Sequence, residues 1–459
     1  MQPGKTLILA LACAFAAAGC GTIRNARAAQ DAALAVPGER TPSARELGLP
    51  LSGKIDLATL ERAALRAHPS IAKARRNLDL AAARVGEAEA AYWPEFSTGS
   101  IASYRYQDQK KPGPGVDVEH HFRSFGFSVS WLLFDFGRTP ALVRESARRE
   151  LAAQADLRSA IVEAIFGVRQ AFFNLRKQRE LLAVAGETVR QFEARLEQVK
   201  GFVKVGTRVP YDETKAELDL GNARLARQLA VDAERAAQAA LANAIGLAEV
   251  TDWEPLAHGP PSAFPMTFDE AWAYARDHEP RIASARALEE AASAVVDAQI
   301  AALFPSIDLS FGYSASGTSF PLRWSWSAGP TLSWLIFNGF ANGYAIDGAA
   351  ASLRAARAAR AATEQQVWLD VRTSYVALED ARARLDLSAL NVRSAEENLA
   401  LAQGRFEVGR ASSVDLTDAQ VALAQARSDE VQARADYDTA IARLERALGI
   451  AEGTPGGAP

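Results

Sequence analysis

Residues 124–137 run Ser124-Phe125-Gly126-Phe127-Ser128-Val129-Ser130-Trp131-Leu132-Leu133-Phe134-Asp135-Phe136-Gly137. Up to Trp131, bulky Phe125, Phe127, Val129 and Trp131 alternate with small Ser124, Gly126, Ser128 and Ser130. A period of two sends successive side chains to opposite faces, so a strand is expected here, apolar on one face and small and polar on the other. The pattern returns further on. Ile307, Leu309, Phe311 and Tyr313 alternate with Asp308, Ser310 and Gly312, while Trp324, Trp326, Leu332 and Trp334 alternate with Arg323, Ser325, Ser327, Thr331 and Ser333. A half-buried sheet on a water-soluble core would alternate in the same way. Aromatic residues crowding the strand ends, and a polar face of small residues, favour instead a transmembrane β-barrel with a wet interior.

Outward from these strands, both flanks repeat as well. Pro69, in Ala67-His68-Pro69-Ser70-Ile71-Ala72, returns 211 residues later as Pro280 in His278-Glu279-Pro280-Arg281-Ile282-Ala283, and Pro94 returns at the same spacing as Pro305. Beyond the strands the spacing is 203, relating Trp131 to Trp334, Phe134 to Phe337, Arg169 to Arg372, Leu175 to Leu378, Gly206 to Gly409, Asp212 to Asp415 and Gly246 to Gly449. The difference falls in a longer first loop containing Lys110-Lys111-Pro112-Gly113-Pro114-Gly115. The chain is therefore read as a tandem duplication. Repeat 1 spans 53–246 and repeat 2 spans 267–450, with a link at 247–266 that carries Pro255, Pro260, Pro261 and Pro265, and a flexible tail at 451–459. Each repeat is expected to run helix, two strands, long helix, turn, helix.

An Ala-rich helical stretch from Leu57 to Tyr92 is expected to stop before Pro94, because proline lacks an N–H and its ring clashes with a continuing helix. From Ala141 to Lys204 there is no proline, and Leu157, Ile161, Ile165, Val168, Phe172 and Leu175 fall in steps of three and four, a coiled-coil spacing. Trp368, Val371, Tyr375 and Leu378 continue the pattern in repeat 2. At 1.5 Å per residue each long helix would reach roughly 95 Å. The helices before the strands and after the turn are about half as long, so two of them stacked end to end could line one long helix.

With 51 Lys+Arg against 55 Asp+Glu in 459 residues, the net charge is -4, and no basic excess exists to neutralise a nucleic acid. The only cysteines are Cys13 and Cys20, so nothing after Cys20 can form a disulfide or a thiolate metal site. The histidines are His68, His120, His121, His258 and His278, and the adjacent pair would point to opposite faces of a strand. Neither a metal nor any other cofactor is expected. No phosphate loop, GxSxG elbow or HExxH helix is present, so enzymatic activity is not expected either. Past the N-terminus no apolar run reaches about eighteen residues. A membrane crossing must then be a β-barrel. Four strands leave two open edges, which lipid does not tolerate, so closure has to come from other copies. Eight strands from two copies would fill their interior with side chains, whereas twelve from three copies leave a passage.

Lys5, the apolar run Leu7 to Phe15 and the small residues Ala16-Ala17-Ala18-Gly19 read as a bacterial export signal, too short to span a bilayer. Cys20, directly after them, resembles the lipidated cysteine of a lipobox, although Ala17 stands where leucine is usual. The alternative is a plain signal peptide cleaved nearby. Gly21 next to it favours, by the same resemblance, the outer membrane over the inner one. On the lipobox resemblance, residues 1–19 are expected to be a lipoprotein signal peptide, and 20–52, with Pro37, Pro42 and Pro50, a lipid-anchored extended tether.

From about 53 to 450 the chain resembles the TolC-like outer membrane efflux protein family, lipoprotein type. The marks are His68-Pro69, Trp93-Pro94, Trp131-Leu132-Leu133-Phe134-Asp135-Phe136-Gly137, Trp334-Leu335-Ile336-Phe337-Asn338-Gly339, and the turns Lys204-Val205-Gly206-Thr207 and Glu407-Val408-Gly409-Arg410, in the same order in both repeats. The resemblance implies a mainly α fold with transmembrane β. Four strands per chain would join a trimeric twelve-stranded outer-membrane barrel above a long periplasmic α-helical barrel, with an equatorial collar near the link. It further implies a homotrimer docked on a periplasmic adaptor (membrane fusion) protein and an inner-membrane pump, passing small toxic molecules outward. Val205, Gly206, Thr207, Val408, Gly409 and Arg410 would form the adaptor-docking tip. Asp415 and Asp418, three apart and so on one helix face, match the family's paired aspartates at the periplasmic gate. Acids at a helix N-terminus are also favoured by the dipole whatever the function. Asp212, equivalent to Asp415, would help latch the closed gate through an arginine, but Ala411 occupies that position here and Arg410 precedes it. The rival readings are a periplasmic coiled-coil adaptor or scaffold protein and a stalked envelope hydrolase.

Overall fold

The structure, a computed structural model, describes residues 42–107, 118–207, 209–256, 264–407, 410 and 412–451. They fall into two compact units, one built from 79–151 and 287–358, the other from the described parts of 41–78, 152–286 and 359–459.

The first unit carries the sheet. Strands β2 (Glu95–Gln107), β3 (Val118–Phe134), β5 (Ser306–Gly317) and β6 (Arg323–Ser333) lie antiparallel in the order β2-β3-β5-β6. The register places Phe127 opposite Thr98 and Tyr313, and Tyr313 opposite Trp326, so the bulky residues share one face. Phe127 sits 5.8 Å from Phe96 and 5.4 Å from Tyr313 between ring centres. The expected alternation is therefore present in β3, β5 and β6, whereas β2 puts Thr98 and Ser100 on the aromatic face and Ile101 on the small-residue face.

Each hairpin is entered and left by the same devices. Proline at 94 and 305 leaves the preceding helix end with unpaired carbonyls. An indole N–H from the far strand satisfies one of them in each repeat, Trp131 donating to Tyr92 at 2.9 Å and Trp334 to Leu303 at 3.0 Å. At the exit, Asp135 accepts from the Gly137 and Thr139 amides at 3.3 and 2.6 Å, capping the helix that follows. Asn338 does the same for the Asn342 amide at 3.3 Å.

Those helices are α3 (Arg138–Lys204) and α7 (Ala341–Glu407), 67 residues each. They are followed by α4 (Pro210–Ile245, 36 residues) and α8 (Ser413–Ala447, 35 residues), which confirms the half-length relation. The second unit holds most of them, and its cores repeat too. Leu60, Val168, Phe172, Leu241 and Ile245 are buried together, and their equivalents Ala271, Val371, Tyr375, Leu444 and Leu448 form a matching cluster.

Two readings need correction. The stretch from Leu57 to Tyr92 is not one helix but α1 (Leu57–Ala67), α2 (Pro69–Glu89) and a 3₁₀ turn at Ala90–Tyr92, and repeat 2 breaks alike into α5 (Phe268–His278) and α6 (Pro280–Ala301). The residue before a proline is pushed out of the helical region: His68 has ψ 123° and Glu279 has ψ 122°. Second, residues 42–52 do not run as an extended tether. Ala44 and Leu49 are buried, and β1 (Ser52–Ile55) pairs in parallel with β4 (Asp252–Pro255) inside the Pro-rich link. Buried Trp253 secures the pair by donating its indole N–H to the Pro50 carbonyl at 2.6 Å. Strands of four residues with two or three prolines nearby leave too little periodicity to be read locally.

Candidate functional site

The sequence points to three places: the small-residue face of the sheet, the two helical turns, and the acids after the second turn. On the sheet, Ser97, Gly99, Gly126, Ser128, Gly312 and Ser314 line a concave cavity of about 570 Å³. Ser97 and Ser128 share a hydrogen bond across the hairpin at 2.7 Å, and Ser314 and Ser325 another at 3.0 Å. Asp308 is the one carboxylate facing this side from the central strands, and it accepts from the Ser306 hydroxyl at 3.0 Å. Short hydroxyls offer donors and acceptors to water and to any passing solute without filling space. Trp324 and Trp326 stand exposed on the opposite face.

In the second unit the fold brings the ends of the two long helices together. Phe202 near the end of α3 packs with Phe406, Leu416 and Leu399, with 6.4 Å between the phenyl centres. The buried Arg195 guanidinium lies 4.3 Å over the Phe406 ring. In the first turn Gly206 has φ +75°, and its amide bonds to the Val203 carbonyl at 3.0 Å, while the Thr207 amide and hydroxyl both reach the Phe202 carbonyl. This is the left-handed termination that glycine permits. Val205 is 71% exposed. Sequence reasoning passed over Val209 and Tyr211, 60% and 71% exposed beside Pro210. Their signal was available, since both are large apolar residues that fall outside the buried stripe. Of the second turn, Val408 and Gly409 lie outside the described residues, as does Ala411. Arg410 is exposed, and its amide bonds to the Arg405 carbonyl at 2.8 Å.

Asp415 and Asp418 are both exposed, on one face of α8. Asp415 is the third helical residue of a reciprocal cap: the Ser412 amide donates to its carboxylate at 2.8 Å, and its own amide donates to the Ser412 hydroxyl at 3.1 Å. These bonds hold its carboxyl below the ordinary aspartate range, the backbone amide contributing most. Asp212 occupies the equivalent first turn of α4, half-buried, its amide bonded to the Val209 carbonyl at 3.0 Å. Cys20 lies outside the described residues. Among the described residues no cluster of His, Cys, Asp and Glu is placed to hold a metal, and no helix is long and apolar enough to cross a membrane.

A duplicated unit of helices around a strand hairpin, whose sheet is aromatic on one side and hydroxyl-lined on the other, defines a membrane-channel subunit rather than an enzyme. The chain belongs to the outer membrane efflux protein family, whose model matches residues 60–247 and 273–450. It is 26% identical over 322 residues to the outer membrane protein OprJ of Pseudomonas aeruginosa, covering 68% of this chain and 67% of that one. To protein CyaE of Bordetella pertussis it is 31% identical over 182 residues, 39% of this chain and only 38% of the relative's length. Among solved structures, the Campylobacter jejuni CmeC outer membrane channel shares the fold with a TM-score of 0.77 at 17% identity, covering 86% of this chain and 85% of that one. The protein is thus an outer-membrane protein with a periplasmic extension.

Proposed function

We propose that this protein is the outer-membrane conduit of a tripartite export assembly. Three copies close a twelve-stranded barrel and a helical tunnel, through which small toxic molecules pass passively from a periplasmic adaptor and an inner-membrane pump to the exterior. The observation that carries the reading is the two-faced sheet: Phe, Tyr and Trp on one side suit lipid, Ser and Gly on the other suit water, and the edge strands β2 and β6 have no second partner among the described residues. The chain has no nucleotide-binding loop, so the energy for export belongs to the pump. Lipidation at Cys20 anchors each copy beside the barrel, Val205-Gly206-Thr207 and Val408-Gly409-Arg410 meet the adaptor, and Asp415, Asp418 and Asp212 belong to the periplasmic gate. Deleting the gene is expected to sensitise the cell to compounds that the intact system exports, with the protein recovered as a trimer in the outer-membrane fraction. Recovery in the inner-membrane or soluble fraction would support an adaptor or scaffold instead.

A further inference from the structure

We propose that the groove between α3, α4 and α8 binds small organic anions, an apolar body bearing a carboxylate or sulfonate, with one site in each chain. Lys177 and Arg443 hold the anionic group, and a floor of alanines takes the apolar body. The site is built by one chain alone, and its position in the wall of the passage rests on the conduit reading above.

Gln170, Ala171, Asn174 and Lys177 recur in steps of one and three residues, which puts them on one face of α3. With Ala240 and Ala244 of α4, and with Asp436, Thr439 and Arg443 of α8, that face lines a cavity of about 490 Å³ in the second unit. A cleft of that size suits a small organic ligand. The opposite face of α3 carries Val168, Phe172 and Leu175, buried in one cluster with Leu60 of α1, Ile55 of β1 and Trp253 of β4. α1 and the β1–β4 pair therefore lie behind α3. Three such layers inside a closed tunnel would fill it, so the conduit reading puts them outside and turns the groove to the passage.

The charges in this groove do not cancel. Neighbouring cations of α3 are committed to carboxylates, Arg169 to Glu61 and Glu445, Arg176 to Asp438, and Arg179 to Glu234 and Asp252. On α8, Arg446 pairs with Glu163. Lys177 and Arg443, by contrast, make no ion pair and no hydrogen bond among the described residues. The one carboxylate in the lining, Asp436, accepts from the Gln432 amide at 2.6 Å, so two positive charges stand against one negative. Asn174 accepts from Gln178 at 3.3 Å through its oxygen and keeps its N–H groups to donate, and the exposed Gln170 amide donates to nothing among the described residues. An ammonium, a guanidinium fork and amide donors are the groups that a carboxylate or sulfonate binds best. Ala171, Ala240 and Ala244 present beside them a surface with no polar side-chain atom.

The duplication separates this groove from the general helical pattern. Under the spacing of 203, Lys177 becomes Asp380, Gln170 becomes Thr373 and Asn174 becomes Ala377, while Arg443 and Asp436 go back to Ala240 and Ala233. Asp380 forms an i,i+4 ion pair with Arg384 on its own helix. Repeat 2 therefore has a self-paired carboxylate where repeat 1 has an uncommitted ammonium, and the cationic groove occurs once per chain. Lys177 is half-buried and Arg443 exposed, so salt should screen the site.

The test is calorimetric titration of the full-length protein in phosphatidylcholine nanodiscs with naphthalene-2-sulfonate, with naphthalene-2-methanol as the neutral analogue and empty nanodiscs as the blank. One sulfonate is expected per chain, with affinity falling as salt rises. Lys177→Gln and Arg443→Gln are each expected to weaken it about tenfold, the scale of one charge-assisted hydrogen bond. Lys177→Glu with Arg443→Glu is expected to turn the preference to 2-naphthylmethylammonium, a gain that misfolding cannot imitate. Unchanged sulfonate affinity in the double glutamine variant, or equal uptake of the neutral analogue by the unmodified protein, would overturn the site. In planar bilayers the sulfonate is expected to block current through the unmodified protein and to block the double glutamine variant far less. Binding without any conductance would remove the conduit reading and leave the site, whereas conductance without binding would remove the site alone.

Discussion

Gly246 and Gly449 show why single residues recur across the duplication. Both end their repeats in the left-handed region, at φ +93° and +76°. A Cβ on Gly246 would lie 2.9 Å from the Ala67 carbonyl and 3.1 Å from Pro69 Cδ, and one on Gly449 would lie 2.7 Å from Pro280 Cδ. The proline that breaks the first helix pair and the glycine that ends the last helix are thus two sides of one contact. Gly246→Ala is expected to cost about 1–3 kcal/mol, from backbone strain together with the clash. Gly86→Ala, in open space inside α2, should be neutral or slightly stabilising. Denaturant midpoints of the two variants make the comparison. Asp415 sets a different expectation. Its carboxyl is held low by the Ser412 amide, so its support for the start of α8 is complete above the unfolded value near about 4 and is lost as pH falls through the lower folded value. Amide exchange at residues 413–418 should therefore accelerate in acid, and Asp415→Asn should remove that acid dependence. The gate role is separable: Asp415→Ala with Asp418→Ala should weaken cation selectivity in planar bilayers, and unchanged selectivity would leave Asp415 as a cap alone.

At the scale of elements, the first turn is where a helix end, exposure and proposed contact coincide. Phe202 and Phe406 tie the helix ends together while Val205 stays exposed. Thr207→Glu or Val205→Asp changes surface rather than core, so trimers should persist while export is lost. Normal resistance in such a variant would make the turn structural only. Higher on the same helices, the buried Arg169 binds Glu61 of α1 at 2.5 Å and also Glu445 of α8, joining first, middle and last helices of the chain. Among the described residues Arg372 forms no such triad and stands 4.7 Å over the Phe268 ring. Duplication preserved the arginine, and its neighbours diverged.

For the whole molecule, membrane residence follows from the sheet, and a lipid on Cys20 would mainly aid sorting, since one or two acyl chains add less hold than a barrel does. Cys20→Ala is expected to abolish fatty-acid labelling yet leave trimers in the outer membrane. Persistent labelling would place the modification elsewhere.

The alternation from Ser124 to Trp131, the proline-free helices and the paired spacings of 211 and 203 already determined strands, helix lengths and the duplication, because each depends on periodicity within one segment. The break at His68-Pro69 was also local, but the surrounding alanine pattern runs through it, and only the ψ of the pre-proline residue shows that the helix stops. The β1 and β4 pair, the burial of Trp253, the Arg169 triad and the closure of Gly246 onto Pro69 belong to the tertiary structure alone. Each joins residues about a hundred or more positions apart, and no period or local propensity records which distant surface a side chain will meet.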